Sequence, residues 1–295
     1  MTPQRGTPLL LALALALAAC GHPTPAPGLA AATPTLLLLG EVHDNAAQPP
    51  QRLQRLQAWL DQGARPALLM EQFDREQQPA IDALLAGPPG ASARSATQVQ
   101  ALADQLQALG GGIQAGWDWA LYRPLLTLAL QQGLPLVAAN VSRTDARSVM
   151  QQGLAAAGFE ARVPADILAA QAAAIEASHC GQVPAATARR MAQAQVARDQ
   201  FMARQLVAHA GRGAVLLAGN GHVRKDLGVP RWLPPALQAR SRVIGFLEGD
   251  AAQEPGAFDE VVPSPPQPRA DPCAAMRRAP AAATGAGPGA ATGGG

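Results

Sequence analysis

Lysine is almost missing from this chain of 295 residues: 22 of its 23 basic residues are arginine, and only Lys225 is lysine. That bias, beside so much alanine, reads as codon usage rather than a functional choice. Charge of one sign is also lacking. A net charge of +2 gives no broad electrostatic footprint for nucleic acid, so no such partner is expected. Aromatic residues make up 3%, with four Trp, five Phe and one Tyr, so any aromatic cluster is informative. The longest N-terminal apolar run, Leu9 to Ala19, is too short to span a bilayer. What is abundant excludes disorder throughout: 48% of residues are hydrophobic and 15% charged, enough for a sizeable core.

Arg5 followed by that apolar run fits the positive and hydrophobic regions of a signal peptide. The run ends Leu17-Ala18-Ala19-Cys20-Gly21, the pattern of a bacterial lipobox. Cys20 is the expected lipidation site and residues 1–19 the removed leader. His22 stands where aspartate is often linked to inner-membrane retention. A lipid-anchored position on the periplasmic face of the outer membrane is therefore expected, with the membrane as partner through the acyl chains. Residues 20–34 are proline-rich and read as a flexible tether. Residues 263–269 (PSPPQPR) and 279–295 are poor in core-forming side chains. The expected organisation is one domain over 35–276, with a disordered Ala/Gly/Pro tail over 277–295. With Cys20 lipidated, Cys180 and Cys273 have one possible pairing, and an oxidising periplasm favours it.

Five strand-length apolar runs alternate with helical patterns: Thr35–Leu39, Ala67–Met70, Pro135–Ala138, Ala214–Ala218 and Val243–Leu247. Continuous apolar runs suit strands covered on both faces, so a mainly parallel central sheet flanked by helices, an α/β fold, is expected. Leu53, Leu56, Trp59 and Leu60 recur at helical spacing, and residues 184–210 carry the longest helical pattern.

The polar residues after these runs carry the chemistry. The first run enters Gly40-Glu41-Val42-His43, the second ends in Glu71, the third in Asn140, and the fourth enters Gly219-Asn220-Gly221-His222. In parallel sheets, ligands bind at the carboxyl ends of the strands. His43, His222 and Glu71 are candidate ligands for a divalent Mn, Co or Zn ion, with Glu41 as general base on bound water. Asn140, Asn220 and His179 are candidate lining residues. Each has a plainer alternative: a histidine bonding its own turn, a glutamate paired with a helix arginine, an asparagine holding a turn.

Three of the ten aromatic residues fall within Trp117-Asp118-Trp119-Ala120-Leu121-Tyr122. A tyrosine phenolate can ligate ferric iron and an arginine can hold a carboxylate such as a haem propionate, which makes Tyr122 and Arg123 candidates. The alternative is a packing cluster opening a helix that runs to about Gln132. Arg143 reads equally as an anion contact or a surface residue, and Arg198-Asp199 as structural.

With these residues in view, the chain resembles the ChaN-like haem-binding lipoproteins of the Tiki and erythromycin-esterase-like superfamily. The matching pieces are L-G-E-V-H-D-N (39–45), L-L-M-E (68–71), W-x-x-Y-R-P (119–124), H-C-G (179–181), A-G-N-G-H-V-R-x-D-x-G-V-P (218–230), G-F-L-E (245–248) and D-P-C-A (271–274). The resemblance implies an α/β body and haem or iron acquisition at the outer membrane. It also implies haem held through a tyrosine, here Tyr122, possibly between two subunits, with a haem uptake receptor as a further partner. Within the binding reading, Arg123, His43 and His222 complete the haem set. The wider superfamily includes metal-dependent hydrolases, and their motifs fall on His43, His222 and Glu41 or Glu71.

Overall fold

The fold is given by a computed structural model, which describes residues 35–87, 94–111, 116–249, 255–271 and 273–274. The leader, the lipidation site at Cys20, the tether and the 277–295 tail lie outside the described residues.

Six strands form one sheet: β1 (Leu36–Leu39), β2 (Ala67–Asp74), β3 (Leu136–Asn140), β4 (Ala214–Leu217), β5 (Ser241–Glu248) and β6 (Glu260–Ser264). Their order is β3-β2-β4-β1-β5-β6, and every pairing is parallel. The expected α/β architecture with a parallel central sheet is therefore present.

The unbroken leucines of β1 follow from its central position. Leu37 and Leu39 point to one face, against Leu56 of helix α1 (Gln48–Asp61) and Leu125 of a later helix. Leu36 and Leu38 point to the other, against Met202 and Leu206. Both faces are covered, so alternation is lost. Each buried leucine contributes roughly 1.5–3 kcal/mol relative to exposure.

Helices α1, α2 (Gln78–Leu85), α3 (Ala96–Leu109) and α4 (Trp119–Gln131) follow β1 and β2, and their apolar residues cover the face carrying Leu37 and Leu39. After β3 come α5 (Arg143–Gln152), α6 (Ala165–Ser178) and α7 (Ala185–His209). Helix α7 covers the other face through Met202, Ala203 and Leu206. The chain thus leaves β1 in one direction across the sheet and returns to insert β4 between β2 and β1, which creates the switch point where a crevice opens. The short helices α8 (Asn220–Val223) and α9 (Pro235–Gln238) follow β4.

Two sequence expectations need correction. Strand β2 runs four residues past its apolar stretch, to Asp74, carrying Glu71 and Gln72 into the interior. Residues 263–269 are not loose: Pro263 and Ser264 end β6, and Ser264 is buried. Pro263 is tolerated because β6 is an edge strand, with no partner beyond it among the described residues. The segment after β6 is clamped by Arg269, whose guanidinium bonds both Asp44 and Glu248.

Candidate functional site

Strands β1 and β4 lie side by side in parallel, with Leu39 opposite Leu217. Their carboxyl ends deliver Glu41 and His43 from one strand and His222 from the other to the same edge. Close approach requires glycine at two points. A Cβ on Gly40 would sit 2.2 Å from Oδ1 of Asn220, and one on Gly219 would sit 3.0 Å from Nε2 of His43. A larger residue at either point must displace the side chain of Asn220 or of His43.

Glu41 is the buried anchor, only 2% exposed. One carboxylate oxygen accepts from Tyr122 Oη at 2.7 Å, from His43 Nδ1 at 2.7 Å and from Gln72 Nε2 at 3.3 Å. The other pairs with the guanidinium of Arg52, itself buried in α1. Burial lowers the Arg52 pKa to about 10 and raises that of the Tyr122 phenol above its ordinary value, so the phenol keeps its proton and donates. By holding Nδ1–H of His43, Glu41 leaves Nε2 as the uncommitted nitrogen. The imidazole stands edge-on to Trp117, with ring centroids 5.0 Å apart.

On the opposite wall, His222 Nδ1 donates to Asp199 Oδ1 at 2.6 Å, and His222 Nε2 lies 3.6 Å from Glu71 Oε1. Glu71 Oε2 accepts from the Gly219 backbone N–H at 2.7 Å. Burial would raise the Glu71 pKa, but His222 and His43 hold it below its ordinary value. Burial raises Asp199 to about 6, against the pull of His222. For His222, burial alone would lower the pKa, yet Glu71 and Asp199 together hold it above normal.

The last two shifts point the same way: the Asp199–His222 pair binds its proton more tightly folded than unfolded. A raised histidine pKa contributes stability that is complete below its unfolded value near 6.5 and is lost as pH rises through the folded value. Asp199 behaves alike, its contribution being lost as pH rises through about 6. Glu71 has the opposite sign: its contribution is present above about 4.5 and lost as pH falls through its lowered value. The melting temperature should therefore fall as pH rises past neutrality, and His222→Gln should flatten that limb. Parallel melting curves for the two proteins between about pH 6 and 9 would contradict this linkage.

His43, Glu71, Gln72, Asp74, Trp117, Asn140, Arg143, Arg198 and His222 line one cleft of about 750 Å³. The structure thus brings together His43, His222, Glu71 and Asn140, with Glu41 beneath them. It does not bring in four other expected residues. Tyr122 is fully buried with its hydroxyl on Glu41 and lies beneath the cleft, outside the residues that line it. Arg123, the next helical residue, points elsewhere and bonds Asp104 and Gln100 of α3; consecutive helix residues diverge by about 100°. His179 caps α6 beside the disulfide and bonds the carbonyl of Ile175 at 2.8 Å. Asn220 bridges to the backbone of Phe246 in β5, donating at 2.7 Å and accepting at 3.2 Å.

Nor is the expected divalent-metal set assembled. Among the described residues, no three His, Cys, Asp or Glu side chains are grouped so as to hold a metal ion. Glu71 Oε2 accepts from Gly219 and His222 Nδ1 bonds Asp199, which leaves Glu71 Oε1 and His222 Nε2 facing one another at 3.6 Å. Conversely, Arg198 and Asp199, read as structural, belong to the site: Arg198 lines the cleft and Asp199 fixes His222.

Replacing Tyr122 with Phe removes one buried hydrogen bond to a carboxylate. The expected loss is about 2 kcal/mol, because Glu41 keeps Arg52, His43 and Gln72. Urea unfolding of the variant checks it; an unchanged midpoint would mean the bond contributes nothing net.

Fold and site define an α/β protein with a polar, histidine-bearing cleft at the carboxyl edge of a parallel sheet. The chain belongs to the haem-binding uptake, Tiki superfamily, ChaN family, whose model matches residues 30–233. Among solved structures it is similar to one described as cofacial heme binding to ChaN of Campylobacter jejuni. That match has 17% identity and a TM-score of 0.58, covering 75% of this chain and 84% of that one. It also matches the type III effector HopBA1, at 13% identity and TM-score 0.42, covering 79% of this chain and 88% of that one. A mutant of the erythromycin esterase EreC in its open conformation matches at 15% identity and TM-score 0.41, covering 74% of this chain and 71% of that one. No curated protein matches the sequence.

Proposed function

We propose that this protein binds haem in the cleft at the carboxyl edge of the sheet and serves in haem uptake or handling. The observation that carries the reading, beside the family match, is the cleft of about 750 Å³ in which Glu41 holds Nδ1 of His43 and leaves Nε2 as an imidazole donor for iron. The side chain of His43 is 44% exposed, Trp117 stands beside it as an aromatic wall, and His222 faces the same space. These residues fit haem; the buried Tyr122 does not reach it. A haem titration of the full chain, followed by the Soret band, tests the proposal. A saturable shift at micromolar haem is expected, and none at all would overturn it.

The lipobox at Leu17–Cys20 supports placing this activity on the periplasmic face of the outer membrane; an uptake receptor and a second copy of the chain are proposed as partners on the family resemblance alone. Palmitate labelling that is lost in Cys20→Ala is the expected result; equal labelling of both proteins would remove the anchor from the account.

A second reading, hydrolysis, is favoured by one observation: Asp199, His222 and Glu71 stand in line, with a buried carboxylate orienting an imidazole at a second carboxylate. Such a set can move a proton near neutral pH. Ester turnover by the purified chain that is abolished by His222→Gln supports this reading. Inert protein, before and after addition of Mn²⁺, Co²⁺ or Zn²⁺, removes it.

A further inference from the structure

The turn that presents His43 is held from two sides. On the inner side Glu41 bonds Nδ1 of His43. On the outer side the turn lies against the segment that follows β6. Arg269 donates from Nε and Nη2 to the two carboxylate oxygens of Asp44, at 2.6 Å each. It donates from Nη1 and Nη2 to those of Glu248, the last residue of β5, at 2.7 Å each. Three further bonds run alongside. Asn45 Nδ2 donates to the Pro265 carbonyl at 3.0 Å, the Ala46 N–H to Gln267 Oε1 at 3.1 Å, and Gln48 Nε2 to Ser264 Oγ at 3.0 Å. Gln48 is buried, and its Oε1 accepts from the backbone N–H of Val42 at 2.8 Å, so the outer contacts reach the residue before His43 as well as the one after it. None of these partners lines the cleft; they act on His43 through the backbone of its turn. The Arg269–Asp44 pair is solvent-exposed, with side chains 35% and 57% accessible, and by itself holds little. Four residues beyond Arg269, Cys273 is bonded to Cys180, just past the end of α6. That tie keeps the guanidinium at high local concentration beside Asp44. Without it, the exposed bonds must offset the ordering entropy of the segment unaided.

We propose that Arg269 is a positioning residue for His43, kept in place by the Cys180–Cys273 bridge, so that opening the bridge weakens haem binding in the cleft. The proposal rests on the haem reading for its ligand and goes beyond it by coupling a covalent bond outside the cleft to the site. Both cysteines are only half-buried, within reach of a dithiol reductant. A thiolate of the dithiol attacks one sulfur of the bridge, and the other cysteine leaves as a thiolate. The dithiol's second thiolate then attacks the mixed disulfide and expels the first cysteine. Two electrons pass to Cys180 and Cys273, which take up the two protons the dithiol gives up and end as thiols; the dithiol ends as a disulfide.

Four forms of the full chain test it: the wild type, the opened bridge (Cys180→Ser, Cys273→Ser), Arg269→Gln, and all three changes together. Each is titrated with ferric haem and followed by the Soret band, without reductant, so that the iron stays ferric. The opened bridge and Arg269→Gln should each bind at least about fivefold more weakly than the wild type, the lower end of ordinary coupling between sites. The triple variant should be no more than about twofold weaker than either, because both changes break one path. Arg269→Lys should recover part of the loss, keeping the charge but not the fork. The melting temperature of Arg269→Gln should fall by no more than about 4 °C, as for an exposed pair; a purely structural arginine would leave the affinity of the folded protein unchanged. The second readout needs no ligand. The imidazole C–H resonances of His43, assigned by their loss in His43→Ala, should shift when the bridge opens, while those of His222, fixed by Asp199 on the opposite wall, should not. Equal haem affinity of the wild type and the opened bridge overturns the proposal, as does full additivity in the triple variant. So do His43 resonances that are the same in all four forms, or an equal shift of His222. If no form binds haem, the haem reading fails, and the His43 resonances alone decide whether the bridge and Arg269 position that side chain.

Discussion

Arg52→Met should cost about 3–5 kcal/mol of stability, because it leaves a buried carboxylate without its counter-charge. Glu41 and Arg52 are 2% and 1% exposed, and they pair directly. Methionine fills much of the arginine's volume, so the expected loss is electrostatic more than a cavity effect. Glu41 would retain Tyr122, His43 and Gln72 as donors, and it would relieve its charge by taking up a proton. The double variant Arg52→Met, Glu41→Gln removes both charges and should recover more than about 1 kcal/mol of that loss. Urea unfolding of the four proteins decides the matter. A loss below about 1 kcal/mol in the single variant would mean that the pair is no better than an exposed one.

Reduction of the Cys180–Cys273 disulfide carries the other large effect. The bridge spans a sequence separation of 93. Chain entropy then gives about 4–5 kcal/mol, before any native-state cost is subtracted. For a domain of this size, each 1 kcal/mol moves the melting temperature by roughly 2–4 °C. A fall on the order of 8–20 °C is therefore expected on adding reductant, and a similar fall in Cys180→Ser. The bridge fastens the segment after β6 to the α6–α7 junction. Arg269 pins the same segment to Asp44, next to His43, and to Glu248. Melting that is indifferent to reductant would show that the salt-bridge clamp alone holds this segment.

The sheet was legible because its strands are buried on both faces and write themselves as apolar runs; β1 and β4 match their runs to within a residue. The edge strand β6 was not, since half of it faces solvent and it contains Pro263. The half of β2 that carries the site was hidden for a different reason. Glu71 and Gln72 are polar yet buried, and an apolar-run criterion stops at Met70.

Two supporting residues did leave a readable signal. Gln48, Arg52, Leu56 and Leu60 fall at four-residue intervals along the buried side of α1. Ala192, Val196, Asp199, Ala203 and Leu206 recur at alternating four- and three-residue intervals along the buried side of α7. A charge standing in an apolar stripe must meet a buried partner, here Glu41 and His222 respectively. Adjacent Arg198 and Asp199 do point in different directions, but both directions serve the site. The aromatic cluster does not act as one group, because helix phase divides it. Tyr122 turns inward to Glu41 and Trp119 packs on Phe73, while Trp117, before the helix starts, alone of the cluster lines the cleft.

In the proposed haem site at the strand ends, His43 rather than Tyr122 is the residue proposed to meet the iron. The most direct measurement is a Soret titration of His43→Ala beside Tyr122→Phe, both checked for folding by circular dichroism. Weakening of at least about tenfold in the alanine variant, as loss of one good ligand interaction implies, with near wild-type binding in the phenylalanine variant, is the predicted result. Loss of the Soret shift in Tyr122→Phe with full binding in His43→Ala would contradict it.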